Sequence, residues 1–124
     1  MNQDEFEEVF EHMIGASRDV LVEKAREYAN DGDRMHNFKR AAGLSGRTPE
    51  QMCWGFNIKH LVSITDMVES GESYPEEKWD EKLGDALNYL ILLKALITEA
   101  NAPDRIALHD GTGTVIATHE AQGE

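Results

Sequence analysis

The chain has 124 residues, of which 40% are hydrophobic, so it fits a single domain with one modest core. It carries 24 acidic against 12 basic residues, and this net charge of −12 argues against a protein that grips nucleic acid over its whole surface. The single cysteine, Cys53, excludes an internal disulfide framework and a multi-cysteine zinc site. The sequence shows neither an apolar run of membrane-spanning length nor a secretory signal, so we expect a cytoplasmic protein without a membrane partner.

Apolar residues recur at three- and four-residue intervals along the first hundred residues, and this spacing predicts about five helices. Their expected ranges are 3–14, 17–29, 38–44, 49–70 and 75–99. Gly15 is the expected end of the first helix. The clearest start lies at Thr48, where Pro49 and Gln51 complete the pattern of a capping box with proline in the first turn.

The last predicted helix is apolar nearly all round from residue 89 to residue 97, which is typical of the central helix of a bundle. We therefore expect an all-α bundle over residues 1–103, followed at 104–124 by either a small hairpin or a disordered tail. The first helix adds more apolar surface than so small a core needs. A face of this kind commonly meets a second subunit, so we expect a homo-oligomer.

The charges are segregated along the chain. Between residues 34 and 65 a single acid, Glu50, accompanies five bases, namely Arg34, Lys39, Arg40, Arg47 and Lys59. Between residues 66 and 85 eight acids accompany only two bases. A basic segment suits phosphate groups, and an acidic segment suits a divalent cation held by oxygen ligands. Ordinary surface charge on two solvated helices is the alternative.

Within the acidic segment, Glu81, Asp85 and Asn88 follow one another at i, i+4 and i+7 and so share one face of the last helix. A carboxylate that faces a core is costly unless it is paired or bound to a metal ion. The alternative is that the two acids only complement the dipole at the beginning of the helix.

Two further pairs have a comparable spacing on neighbouring helices. Lys59 and Asp66 lie at i and i+7, and Glu23 and Glu27 lie at i and i+4. Carboxylates on facing helices are how bundles build Mg²⁺ or Mn²⁺ sites. The alternatives are a Lys59–Asp66 salt bridge and, for the two glutamates, a solvated helix face. His60, next to Lys59, is expected to be a packed or surface residue.

The segment EKLGDALNYLILL, residues 81–93, resembles the second metal-binding helix of the MazG-like all-α nucleoside triphosphate pyrophosphohydrolases. In those enzymes a turn that bears carboxylates precedes an apolar stretch. Residues 24–44, with 59–60 and 66–67, are similar to small phage proteins of the nucleotide-modification-associated type. This second resemblance covers residues 23–99.

Together with the charge pattern, the resemblance implies a metal-dependent protein that hydrolyses a nucleoside triphosphate between its α and β phosphates. The implied cofactor is Mg²⁺ or Mn²⁺. The implied roles are metal binding by Asp66, Glu81 and Asp85, catalysis by Glu23 or Glu27, and substrate binding by Arg34, Lys39, Lys59 and Asn88.

Two other functions remain open. One is a non-catalytic phage protein that sequesters a nucleotide or signalling nucleotide, or that binds a host protein through its acidic first helix. The MazG-like pattern expects an upstream Glu-Glu-x-x-Glu helix, and the lack of that string in the expected place favours this alternative. The other is an acidic protein that mimics the charge of DNA, with its acids spread over one outer face.

Overall fold

The computed structural model describes residues 1–28 and 32–102, without the side chains of residues 27 and 28. Within these ranges the chain forms four helices and no strand, so the predicted all-α class is confirmed. The predicted number of five helices is wrong, because the first two predicted helices form one continuous helical stretch. The expected hairpin or tail at 104–124 lies outside the described residues.

The first helical stretch, α1, combines three segments without a break. It is α-helical over Gln3–Arg18, π-helical over Asp19–Lys24 and α-helical again over Ala25–Tyr28. The predicted end at Gly15 is wrong. An interior glycine costs a helix only about 1 kcal/mol, and Ser17, two residues further, is buried, so tertiary packing offsets that cost.

The other three helices are α2 (His36–Ser45), α3 (Pro49–Ser70) and α4 (Glu76–Asn101). The first two of these end at Gly46 and Gly71, whose φ angles of 73° and 74° lie in the left-handed region that favours glycine.

The beginning of α3 confirms the predicted capping box. The Thr48 hydroxyl accepts from the backbone N–H of Gln51 at 3.1 Å, and the Gln51 side chain accepts from the backbone N–H of Thr48 at 2.9 Å. Asn2 and Glu5 form the same arrangement at the beginning of α1. Both caps satisfy backbone donors that a helix leaves free in its first turn.

The helices α3 and α4 run antiparallel and enclose the core with α2. Asn57 donates from Nδ2 to the carbonyl of Ala86 at 3.4 Å, and the Cys53 thiol donates to the carbonyl of Tyr89 at 3.5 Å. Burial raises the pKa of the Cys53 thiol, which therefore stays neutral and acts as a small core residue. From α2, Phe38 packs its ring on that of Tyr89, with centroids 6.4 Å apart.

The helix α1 lies along another face of α4 and runs in the same direction. His12 Nε2 lies 3.1 Å from Asp80 Oδ2, and further along both helices Leu21 lines the same small cavity as Ile91. As predicted, α4 is central, since it packs against α1 as well as against α2 and α3. In the described ranges, 1–28 and 32–102, we find no helix with the length and apolarity needed to span a membrane.

Candidate functional site

The seam between α3 and α4 holds a histidine beside a carboxylate. His60 Nδ1 lies 3.8 Å from Asp85 Oδ2, and the two side chains are 22% and 45% exposed. The ring of His60 stacks on that of Tyr89, with centroids 5.3 Å apart and planes at 28°. The stacking holds the imidazole beside the Asp85 carboxylate.

Helical spacing explains how these side chains meet. Cys53, Asn57 and His60 are four and three residues apart and share the face of α3 that packs on α4. Asp85 and Tyr89 are four residues apart on α4. Since the two helices run antiparallel, His60 reaches the turn of α4 that carries Asp85.

Two asparagine side chains place acceptor atoms inside the bundle. Asn57 is 1% exposed, and its Oδ1 has no hydrogen-bond partner among the described residues. The same holds for Oδ1 of Asn88. A buried polar atom without a partner costs roughly 1–3 kcal/mol, so the acceptor capacity of both oxygens is unused among the described residues.

The predicted stripe of Glu81, Asp85 and Asn88 lies on α4 as the spacing requires. Glu81 is exposed, Asp85 is half-exposed, and Asn88 is partly buried. Across the residues that the structure describes, no three His, Cys, Asp or Glu side chains are grouped so that they could hold a metal ion. The stripe therefore supplies two carboxylates one turn apart, with amide oxygen as the other hard donor.

Asp66 and Lys59 lie on a different side of α3. Asp66 follows Asn57 by nine residues, which places it about 180° around the helix from the contact with α4. Both Asp66 and Lys59 are exposed. The structure therefore does not bring Asp66 to the carboxylates of α4, and Lys59 points away from the seam.

Lys39 of α2 contacts two carboxylates that lie outside this helix. Its Nζ donates to Asp33 and, at 3.1 Å, to Oε2 of Glu99 on α4. The hydrogen bond from Lys39 lowers the pKa of Asp33, and the same bond raises the pKa of Lys39. A phosphate group at Lys39 must compete with these partners, whereas Arg34 is exposed.

Glu23 lies in the π-helical segment of α1, where Oε1 is 3.5 Å from Nη1 of Arg26. The spacing that predicted a shared face with Glu27 assumes a regular α-helix up to that point, and the π-helical turns change it. The side chain of Glu27 lies outside the described atoms.

The sequence interpretation missed the pairing of His60 with Asp85 and gave Asn57 no role. The spacing of Cys53, Asn57 and His60 on a helix with a clear start was the available signal. It marks a face, but only the packing shows that this face meets α4.

Comparison with protein-family models, with curated protein sequences and with solved structures gives no match to the chain.

Proposed function

We propose that the protein binds a nucleotide with Mg²⁺ or Mn²⁺ along the Glu81–Asp85–Asn88 stripe of α4 and hydrolyses it between the α and β phosphates. One observation carries the proposal. The Asp85 carboxylate lies half-exposed at the α3–α4 seam, and on the next turn of the same stripe the buried Oδ1 of Asn88 has no described partner.

The donor atoms present are compatible with a hard divalent cation. Glu81 and Asp85 supply carboxylate oxygens and Asn88 supplies an amide oxygen, which are the ligand types that Mg²⁺ and Mn²⁺ prefer. A bound ion would supply charge neutralisation at the phosphates and a water of lowered pKa. Such an ion keeps several waters and uses phosphate oxygens as ligands, so two protein carboxylates are compatible with it.

The reaction has a simple balance. Water attacks the α-phosphorus, the bond from that phosphorus to the bridging oxygen breaks, and a nucleoside monophosphate and pyrophosphate leave. Glu23 and Glu27 remain the proposed catalytic residues for taking up the proton of the water. Arg34 and Lys39 remain the proposed phosphate-binding residues. Asp66 and Lys59 lie on the side of α3 away from the seam, so the proposal gives them no role.

Sequestration of a nucleotide without turnover is the second candidate. The observation that favours it is the small carboxylate set, since no three potential metal-binding groups converge among the described residues. A binding protein needs only the positive and amide groups that recognise phosphates and bases. Two metal ions held by several carboxylates are a requirement of many hydrolases, not of binding.

A panel of ribo- and deoxyribonucleoside triphosphates, each with Mg²⁺ or Mn²⁺, distinguishes the candidates. We expect pyrophosphate release with at least one nucleotide and a rise in melting temperature with the same nucleotide. A rise in melting temperature without pyrophosphate release supports sequestration instead. If no nucleotide and neither metal changes the melting temperature, both candidates are wrong.

A further inference from the structure

The N-terminal half of α1 presents an apolar stripe that the described part of the chain leaves half uncovered. Phe6, Val9 and Phe10 are 53%, 50% and 51% exposed, and their spacing places them on one side of the helix. His12 already lies opposite Asp80, near the beginning of α4. Since the two helices run in the same direction, α4 does not extend alongside the turn that carries Phe6.

We name the surface formed by Phe6, Val9 and Phe10 with the flanking acids Glu5 and Glu7 the acidic stripe. Helical spacing places these two acids roughly 100° to either side of the centre of the apolar residues, whereas Asp4, Glu8 and Glu11 lie towards the opposite side of the helix. All five acids are exposed. None of them forms an ion pair with another described residue. A surface that covers the stripe must therefore be apolar at its centre and basic at its rim.

The same chain carries a surface with those properties on α2 and the turn after it. Leu44 is 75% exposed. Among the large apolar side chains that the structure describes, only Met1 is more exposed. Arg40 precedes it by one helical turn and Arg47 follows it by three residues, and both are exposed. Neither arginine forms an ion pair with another described residue. We name Arg40, Leu44 and Arg47 the basic patch.

The two surfaces lie on different sides of one molecule. The basic patch belongs to α2, which packs on α3 and on the Tyr89 side of α4, whereas α1 packs on the side of α4 that carries Asp80 and Ile91. A second copy of the chain can present its patch to the stripe of the first. With a net charge of −12 per copy, two copies repel each other over most approaches.

We propose that the acidic stripe of one copy docks on the basic patch of a second copy. Complementary charge at the rim selects this orientation against the general repulsion, and burial of the two phenylalanines and Leu44 supplies the apolar contact. The contact joins two different surfaces, so it leads to a ring or an open chain unless two copies exchange it reciprocally. The proposal is independent of nucleotide binding.

Charge reversal tests whether the surface that covers the acidic stripe is the basic patch of a second copy. One full-length variant carries Glu5→Lys with Glu7→Lys, and circular dichroism checks that α1 stays helical without the Glu5 cap. The other variant carries Arg40→Glu with Arg47→Glu. Each variant alone should associate at least about tenfold more weakly than the parent in sedimentation equilibrium, since like charges then meet at the rim. An equimolar mixture should associate as the parent does, because each mutated surface then finds one of opposite charge. Association of the parent should also fall about tenfold from low to high salt.

Two further variants locate the contact. Phe10→Asp should abolish association, whereas Val62→Asp, at a 52% exposed apolar residue of α3, should leave it unchanged. Circular dichroism of both variants checks that they fold, and Phe10→Ser repeats the test without a new charge. The proposal is overturned if the parent is monomeric at micromolar concentration. It is equally overturned if the mixture fails to recover association, or if Val62→Asp dissociates the protein and Phe10→Asp does not.

Discussion

Asn57 of α3 binds Ala86 of α4 through only one half of its amide, with Nδ2 donating to the carbonyl at 3.4 Å while Oδ1 has no described partner. The side chain is also 1% exposed. The long hydrogen bond returns less free energy than a well-formed one, and the orphaned oxygen adds a cost of roughly 1–3 kcal/mol. The side chain of Asn57 therefore contributes little to the free energy of unfolding, although it lies at the centre of the fold.

We predict that Asn57→Leu keeps or raises the free energy of unfolding. Leucine has the same branching and number of heavy atoms and removes the orphaned oxygen, and Ala86 keeps its helical position. Asn57→Asp, the matched control, should lower the free energy by about 3 kcal/mol or more, because it places a charge in a buried site. Urea unfolding at neutral pH measures both. A larger loss for the leucine variant than for the aspartate variant would contradict this account.

We predict that Asp85→Asn removes the rise in melting temperature that Mg²⁺ or Mn²⁺ gives the parent protein, and removes nucleotide turnover with it. Asp85 is 45% exposed, so without metal the substitution should change the free energy of unfolding by less than about 1 kcal/mol. Glu69→Gln, at an exposed acid of α3, is the control and should respond to metal as the parent does. A metal response that survives in Asp85→Asn excludes Asp85 as a ligand.

The contact of Lys39 with Asp33 predicts a pH dependence on the acid side. The pKa of Asp33 lies below its usual 3.8, so the stabilisation is complete above that value and is lost as the pH falls through the lowered pKa. Both side chains are 40% exposed, which limits the effect to about 1 kcal/mol or less. In thermal melts, Lys39→Met should be less stable than the parent near neutrality and converge with it in acid.

Lys59→Met is the control for this experiment, because Lys59 is exposed and forms no ion pair with another described residue. The difference in melting temperature between Lys59→Met and the parent should stay nearly constant with pH. The pKa of Lys39 is raised above 10.5, so the same contact should weaken again only when the pH rises through that higher value. A Lys39→Met difference that stays undiminished at the lowest pH would show that Asp33 is not its origin.

Glycine substitutions should have opposite signs at two positions. A Cβ added at Gly55, inside α3, meets no atom within 4 Å, so Gly55→Ala should raise the free energy of unfolding by about 0.5–1 kcal/mol. Gly46 has a φ of 73°, a conformation that disfavours residues with a Cβ. Gly46→Ala should therefore lower the free energy of unfolding by about 1–2 kcal/mol. Chemical unfolding of both variants measures the difference. Destabilisation by Gly55→Ala would mean that a partner approaches α3 at this position.

Local signals in the sequence predicted the strongest elements well. The capping box at Thr48 fixed the beginning of α3, and the expected range 49–70 agrees with Pro49–Ser70. The predicted helix end at Gly15 is wrong because a glycine indicates only the local preference of the backbone. The burial of Ser17 depends on tertiary packing, and that packing carries the helix through Gly15.

For the candidate site, spacing predicted which residues share a helix face but not which face meets a neighbour. The helical period of α4 is enough to predict that Glu81 and Asp85 share a face. Carboxylates on neighbouring helices predict Asp66 as a third ligand, yet α3 meets α4 through Asn57 and His60. The rotation of α3 about its own axis is set by the burial of Cys53 and Asn57, which no local pattern reports.

The π-helical segment Asp19–Lys24 gives α1 a tolerance to length changes that the other helices lack. A π-helical turn accommodates one more residue than an α-helical turn between the same two ends. Deleting one residue there should leave a regular α-helix and keep the contact of His12 with Asp80 of α4. The same deletion early in α3 would rotate Asn57 and His60 by about 100° out of the seam. Deletions of single residues are therefore expected to be accepted in the middle of α1 and rejected in α3.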